Sequence, residues 1–178
     1  MSPMKSFRMS RSLTNPLIAL GLLLPVGCAP GKNGGPTDAA AQVKLGNRYS
    51  EGNWVAQDDE EAAKWFRKAA IQGNPEGQYH LALCYSSGYG MPKNDALAAE
   101  WYQKAANQGH SGAQYRLGLC YDLHEGVPKD LVMAYMWLNL AAASGDLSAR
   151  NSREAIARRM TDAQIAKAQQ MSADWGRN

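Results

Sequence analysis

The sequence has 178 residues, of which 45% are hydrophobic, with 19 Lys plus Arg against 16 Asp plus Glu. That length suffices for one domain with a core of its own. Lys5, Arg8 and Arg11 precede Cys28 and no acid does, so the remainder holds 16 charges of each sign. This balance gives no electrostatic case for nucleic acid.

Those three cations make a basic leader. Leu17 to Leu24 follows as an apolar run broken only by Gly21, too short to cross a bilayer as a mature helix. A basic leader, a short apolar run and then small residues are the plan of a secretory signal peptide, here residues 1–27.

The run ends Leu24, Pro25, Val26, Gly27, Cys28, Ala29. This resembles a bacterial lipobox through Gly27 and Cys28, with Pro25 where that pattern prefers Leu, Val or Ile. The resemblance implies that Cys28 becomes the lipidated first mature residue, an anchor and not a span. Ala29 in place of Asp implies the outer membrane, on the periplasmic side of the envelope. The alternative is ordinary cleavage nearby. Ala29 to Asp38 carries Pro30, Gly31, Asn33, Gly34, Gly35 and Pro36. It offers nothing apolar to bury and reads as a flexible tether, so residues 28–40 are the expected anchor and linker.

The chain then repeats with a period of 36 residues, over 41–76, 77–112 and 113–148. Eight columns are identical: Gln42/78/114, Leu45/81/117, Tyr49/85/121, Ala62/98/134, Trp65/101/137, Ala69/105/141, Ala70/106/142 and Gly73/109/145. Such a period marks an array of supersecondary units. Each copy predicts two helices: a first over about 41–50, 77–86 and 113–122, and a second over about 59–72, 95–108 and 131–144. Asp58, Asn94 and Asp130 stand where second-helix N-caps belong. Gly73, Gly109 and Gly145 stand where a left-handed residue ends a helix. Gly88 and Gly90 punctuate the inner turn; in the third copy His124 replaces the first glycine, either at some strain or in a different turn. The small columns Ala62, Ala69 and Ala70 and Gly46/Ala82/Gly118 allow close helix approach. The tryptophans are expected to fill the space between layers and supply most of the large apolar area.

Beyond the third copy, 147–160 starts at first-helix spacing but is richer in charge, with Arg150, Arg153, Glu154, Arg158 and Arg159. Thr161 and Gln164 have capping-box spacing, so a last helix is expected from about Asp162 to Trp175. A charged closing pair over 149–178 would end the stack.

The repeated residues resemble the Sel1-like repeat, related to tetratricopeptide repeats. In the third copy the match runs through Ala113, Leu117, Gly118, Tyr121, Gly126, Val127, Asp130, Ala134, Trp137, Ala141, Ala142 and Gly145. The resemblance implies an all-α, right-handed α-solenoid of antiparallel helix pairs: three repeats plus a C-terminal capping helix pair.

Candidate chemistry is sparse. His80 and Cys84 share a helix face, with Cys120 one repeat on, but three potential ligands are a weak metal signal. The two cysteines read better as small buried hydrophobes in one column. Stacked helices about 8–10 Å apart disfavour a bridge between them. No nucleophile motif or phosphate loop lies in the repeats, so no enzyme, metal or cofactor is expected.

On the first helices, Leu45, Gly46 and Tyr49 mark the packed side. The opposite side holds Tyr79, Leu83, Tyr115 and Leu119, flanked by Lys44, His80 and Arg116. In related arrays this side lines the concave surface. The expectation is a non-enzymatic envelope adaptor that binds a peptide or protein segment there. The competing readings are a cell-wall-directed enzyme or small-ligand binder, and a structural spacer whose concave face is covered by its own C-terminal helix.

Overall fold

The computed structural model describes residues 35–177. The leader, Cys28 and the tether up to residue 34 lie outside the described residues. Eight helices follow: α1 Ala39–Glu51, α2 Asp59–Ile71, α3 Pro75–Ser87, α4 Asp95–Asn107, α5 Ser111–Leu123, α6 Leu131–Ala143, α7 Leu147–Ala157 and α8 Asp162–Trp175.

The first helices begin two residues before their expected starts, at 39, 75 and 111. The cause is a second column of N-caps. Asp38, Asn74, His110 and Asp146 each accept from the backbone N–H three residues on, which satisfies a donor that the helix leaves free. Asp58, Asn94 and Asp130 cap the second helices as expected. The backbone N–H groups of these three also donate to the carbonyls of Tyr49, Tyr85 and Tyr121, at 2.9, 2.9 and 3.1 Å. Each hairpin is thereby closed at its inner turn.

His124 occupies the left-handed region, at φ 63°, like Gly52 and Gly88 in the same column. Its ring Nδ1 lies 2.9 Å from the carbonyl of Val127. That local bond offsets the strain of a side chain there. The turn is kept and the histidine is fitted to it.

The helices stack in one continuous array. α1, α3 and α5 pack on α2, α4 and α6 of their own repeats, and α2, α4 and α6 pack on the next first helix, α3, α5 and α7. α8 lies on α6. Asn139 Nδ2 donates to Ser172 Oγ at 2.9 Å, and the Trp137 and Trp175 rings meet edge to face at 5.8 Å. Thr161 and Gln164 form the capping box that starts α8.

The core departs from expectation in one respect. Trp65 and Trp137 are buried, but Trp101 is only half-buried, and the ammonium groups of Lys68 and Lys104 sit over the Trp65 and Trp101 rings at 3.7 and 3.9 Å. The deepest large side chains lie one column on: Phe66 at 3%, Tyr102 at 2% and Leu138 at 0% exposure, together with Leu81 and Leu117. Of the three tryptophans only Trp137 reaches that depth, at 2% exposure, with Trp175 of α8 against it.

The last residues of the expected tether belong to the domain. Gly35 lies so close to Trp65 that a Cβ there would come within 2.1 Å of the indole. Gln42 Nε2 donates to the Pro36 carbonyl at 2.9 Å, and Gln72 Nε2 to that of Thr37 at 3.1 Å. These contacts are polar and backbone-directed, so composition alone could not register them.

Candidate functional site

Two open clefts of about 400 and 300 Å³ lie on the first-helix side of the array. The nine lining positions of the first recur 36 residues on in the second, which adds Ser87 and Leu123. In the first, Ser50, Gln57, Asp59, Ala62 and Phe66 come from repeat one, and His80, Leu83, Cys84 and Tyr89 from repeat two. In the second the same places hold Ser86, Lys93, Asp95, Ala98 and Tyr102, then Arg116, Leu119, Cys120 and Glu125. Each cleft therefore exists only where two repeats are stacked.

At the third position of this series the closing pair α7 and α8 takes the place of a further repeat. Ile156 stands in the Cys84/Cys120 column and is 1% exposed. Asp122, in the Ser50/Ser86 column, pairs with Arg159 Nη1 at 2.7 Å.

The floors are chemically quiet. Burial pushes the thiols of Cys84 and Cys120 up to about 11, with nearby carboxylates adding to it. Both are free and buried. A thiol held in its neutral form is a weak nucleophile and a poor ligand. Burial also pushes the Tyr102 phenol up to about 12, against a bond to Ser86 Oγ at 3.2 Å. Each shift keeps the group uncharged near neutral pH.

A hydrogen-bonded cluster joins α3 to the start of α5. Glu76 Oε1 lies 3.1 Å from His80 Nε2, and Glu76 Oε2 lies 2.9 Å from His110 Nε2. His110 Nδ1 accepts from Ala113 N, so its Nε2 carries a proton and donates to Glu76. The His80 ring stacks on Phe66 and the His110 ring on Tyr79, both with centroids 4.6 Å apart. Partial burial pushes the Glu76 carboxyl up, but the bonds and charges of His110 and His80 outweigh it and hold it below the usual range. Burial holds His80 below the ordinary imidazole range, although Glu76 opposes this.

The seven groove residues expected from the sequence are distributed among these features. His80 and Leu83 line the first cleft; Arg116 and Leu119 line the second. Tyr79 is half-buried, stacked on His110 and tilted against Tyr102 at 6.1 Å. Tyr115 is half-buried against the cluster formed by α6, α7 and α8. Lys44 is exposed on α1, outside both clefts. The helical wheel missed Asp59, Phe66, Lys93 and Tyr102 because they belong to the second helix or the loop before it. The exposed Tyr89, at 64%, follows α3 at the rim of the first cleft. Their signal was the 36-residue offset, which places each in one column with its partner.

Comparison with known proteins follows the same lines. The family model of the Sel1 repeat matches residues 39–74, 75–110 and 111–146. Among solved structures, the chain is similar to c5321, a protective antigen present in uropathogenic Escherichia coli strains that displays an SLR fold. The identity is 33% and the TM-score 0.73, over 78% of this chain and 30% of that one. It is also similar to a Sel1 repeat protein from Oxalobacter formigenes, with 36% identity and a TM-score of 0.64, over 66% of this chain and 48% of that one. The match thus spans less than half of either protein. A search of curated proteins finds no match. Three contiguous family matches, coincident with three helix pairs that carry the shared columns, lead to one conclusion: the chain belongs to the Sel1 repeat family.

Proposed function

We propose that this protein is a non-enzymatic adaptor of the bacterial cell envelope that binds a peptide or protein segment along its first helices. The observation that carries the reading is the pair of repeat-related open clefts. Sel1 repeat proteins generally mediate protein–protein interaction, and stacked repeats present a row of similar clefts to an extended partner. The covering helix that a spacer would need does not occupy the clefts, since α8 lies on α6 and contributes no residue to either. The neutral, buried thiols of the cleft floors give no support to a hydrolytic reading.

The envelope part of the proposal rests on the sequence. The 1–27 leader would direct export, and lipidated Cys28 would hold the repeats on the periplasmic side, at the outer membrane. Mass spectrometry of the mature N-terminus tests this: a diacylglyceryl Cys28 is expected, and an unmodified residue downstream of it would remove the anchor.

The binding part is tested by photocrosslinking in the native envelope. A benzoylphenylalanine at position 83 or 119 is expected to capture a defined partner. The same probe at the exposed position 64, on α2 outside both clefts, is expected to capture none. Equal capture at all three positions would remove the clefts from the binding surface.

A further inference from the structure

We propose that the first cleft receives a lysine or arginine side chain of the bound segment, with Asp59 as its counter-ion; this rests on the groove reading above. The two clefts are built alike but differ in charge. In the second, the repeat carries its own cation: Lys93 Nζ lies 3.3 Å from Asp95 Oδ1. One repeat earlier Asp59 keeps the acidic place, and Gln57 stands in the lysine column. No cation lies within ion-pair reach of Asp59 among the described residues. The second cleft also holds Arg116 and Glu125 where the first has His80 and Tyr89, so the first cleft keeps its acid with no Lys or Arg in its lining.

The walls suit such a ligand. Leu83 offers apolar surface for an aliphatic stem above a floor that includes the buried Ala62 and Phe66, and Tyr89 stands at the rim with its ring exposed. A cation held near that ring gains from its face. The chain already uses this contact twice, with Lys68 over Trp65 and Lys104 over Trp101. His80 does not supply the missing charge, because its Nε2 is turned to Glu76 and burial favours the neutral ring. A purely apolar side chain would strip water from Asp59 and return nothing, and an acidic one would meet like charge. A cationic tip on an apolar stem satisfies both halves of the cleft.

The test is NMR titration of the purified full chain with the methylamides of N-acetyl-arginine and N-acetyl-norleucine. The arginine probe is expected to shift the amides of Ala62, Leu83 and Tyr89 and to bind about tenfold more tightly, the scale of one charge-assisted hydrogen bond. Asp59→Asn should bring it down to the norleucine level. Gln57→Lys should do the same by restoring the internal cation, in a side chain that Lys93 shows the fold accepts. If the two probes bind equally, or Asp59→Asn changes nothing, the cation assignment fails while the groove reading stands. If neither probe shifts these amides, both fail.

Discussion

Gln108 Nε2 donates to the buried Oε1 of Gln78 at 2.7 Å, across the 30 residues that separate the two ends of one repeat. Gln72 does the same for Gln42 at 2.8 Å. On its other side Gln78 donates to the Ala70 carbonyl at 3.4 Å, so a single amide ties its own repeat to the one before. Gln114 donates equivalently to Ala106 at 3.3 Å, but its acceptor is left over. The residue in the Gln72/Gln108 column is Ser144, whose hydroxyl turns back to Leu140 instead.

Ser144→Gln should therefore stabilise the protein. It supplies the missing donor to a buried oxygen, worth about 1 kcal/mol. The urea midpoint should rise with an unchanged slope, whereas Ser144→Leu, which cannot donate, should give no gain. A Gln variant no more stable than the Leu variant would mean that the orphan oxygen is satisfied in another way.

One column should tolerate opposite things at its two ends. A Cβ on Gly90 would come within 2.0 Å of the Asp59 carbonyl, and one on Gly126 equally close to that of Asp95. These glycines let each inner turn rest on the preceding second helix, at φ 68° and 74°. Trp54 holds the same place in the first repeat, where no second helix precedes it among the described residues, and is 97% exposed. Gly90→Ala should cost about 1–3 kcal/mol, whereas Trp54→Ala should stay within about 0.5 kcal/mol. Thermal unfolding of the two variants decides this; a large loss for Trp54→Ala would show that the indole is held by something outside residues 35–177.

Acid should weaken the junction between repeats two and three in stages. The folded state holds His80 below the ordinary imidazole range and Glu76 below the ordinary carboxylate range. In both windows the unfolded chain binds more protons, so each group's contribution is present above its unfolded pKa and is lost as pH falls through its folded one. Stability should fall first below about pH 6.5 and again below about pH 4.3. Chemical denaturation across this range should show both stages, and Glu76→Gln should flatten the lower one. A stability curve flat from neutral pH to 4 would contradict the cluster.

The cleft-floor thiols should be silent until the fold opens. With both pushed up to about 11 and buried, Cys84 and Cys120 should alkylate slowly at pH 8 and react at the free-thiol rate in urea. Mass-resolved labelling should find both modified in step with unfolding. Fast labelling of either in the native protein would show that its cleft floor is open to solvent.

Much of this architecture is local and was therefore readable. The helix pairs, the left-handed turns at Gly73, Gly109 and Gly145, and the second-helix caps follow from short-range chemistry repeated in register. The earlier starts of α1, α3 and α5 are local as well, set by the caps Asp38, Asn74 and His110 in one column. Helical periodicity also found the face to which His80, Leu83, Arg116 and Leu119 belong. It could not tell which residues on that face stay open. Tyr79 is half-covered because the N-cap of α5 places His110 against it, and Tyr115 because it packs on the cluster of α6, α7 and α8. That depends on the offset between stacked hairpins, which side chains far apart in the chain set by packing. The charge difference, Lys93 before Asp95 and Gln57 before Asp59, is written in the sequence, but only the stacking of the repeats puts the two acids into equivalent clefts.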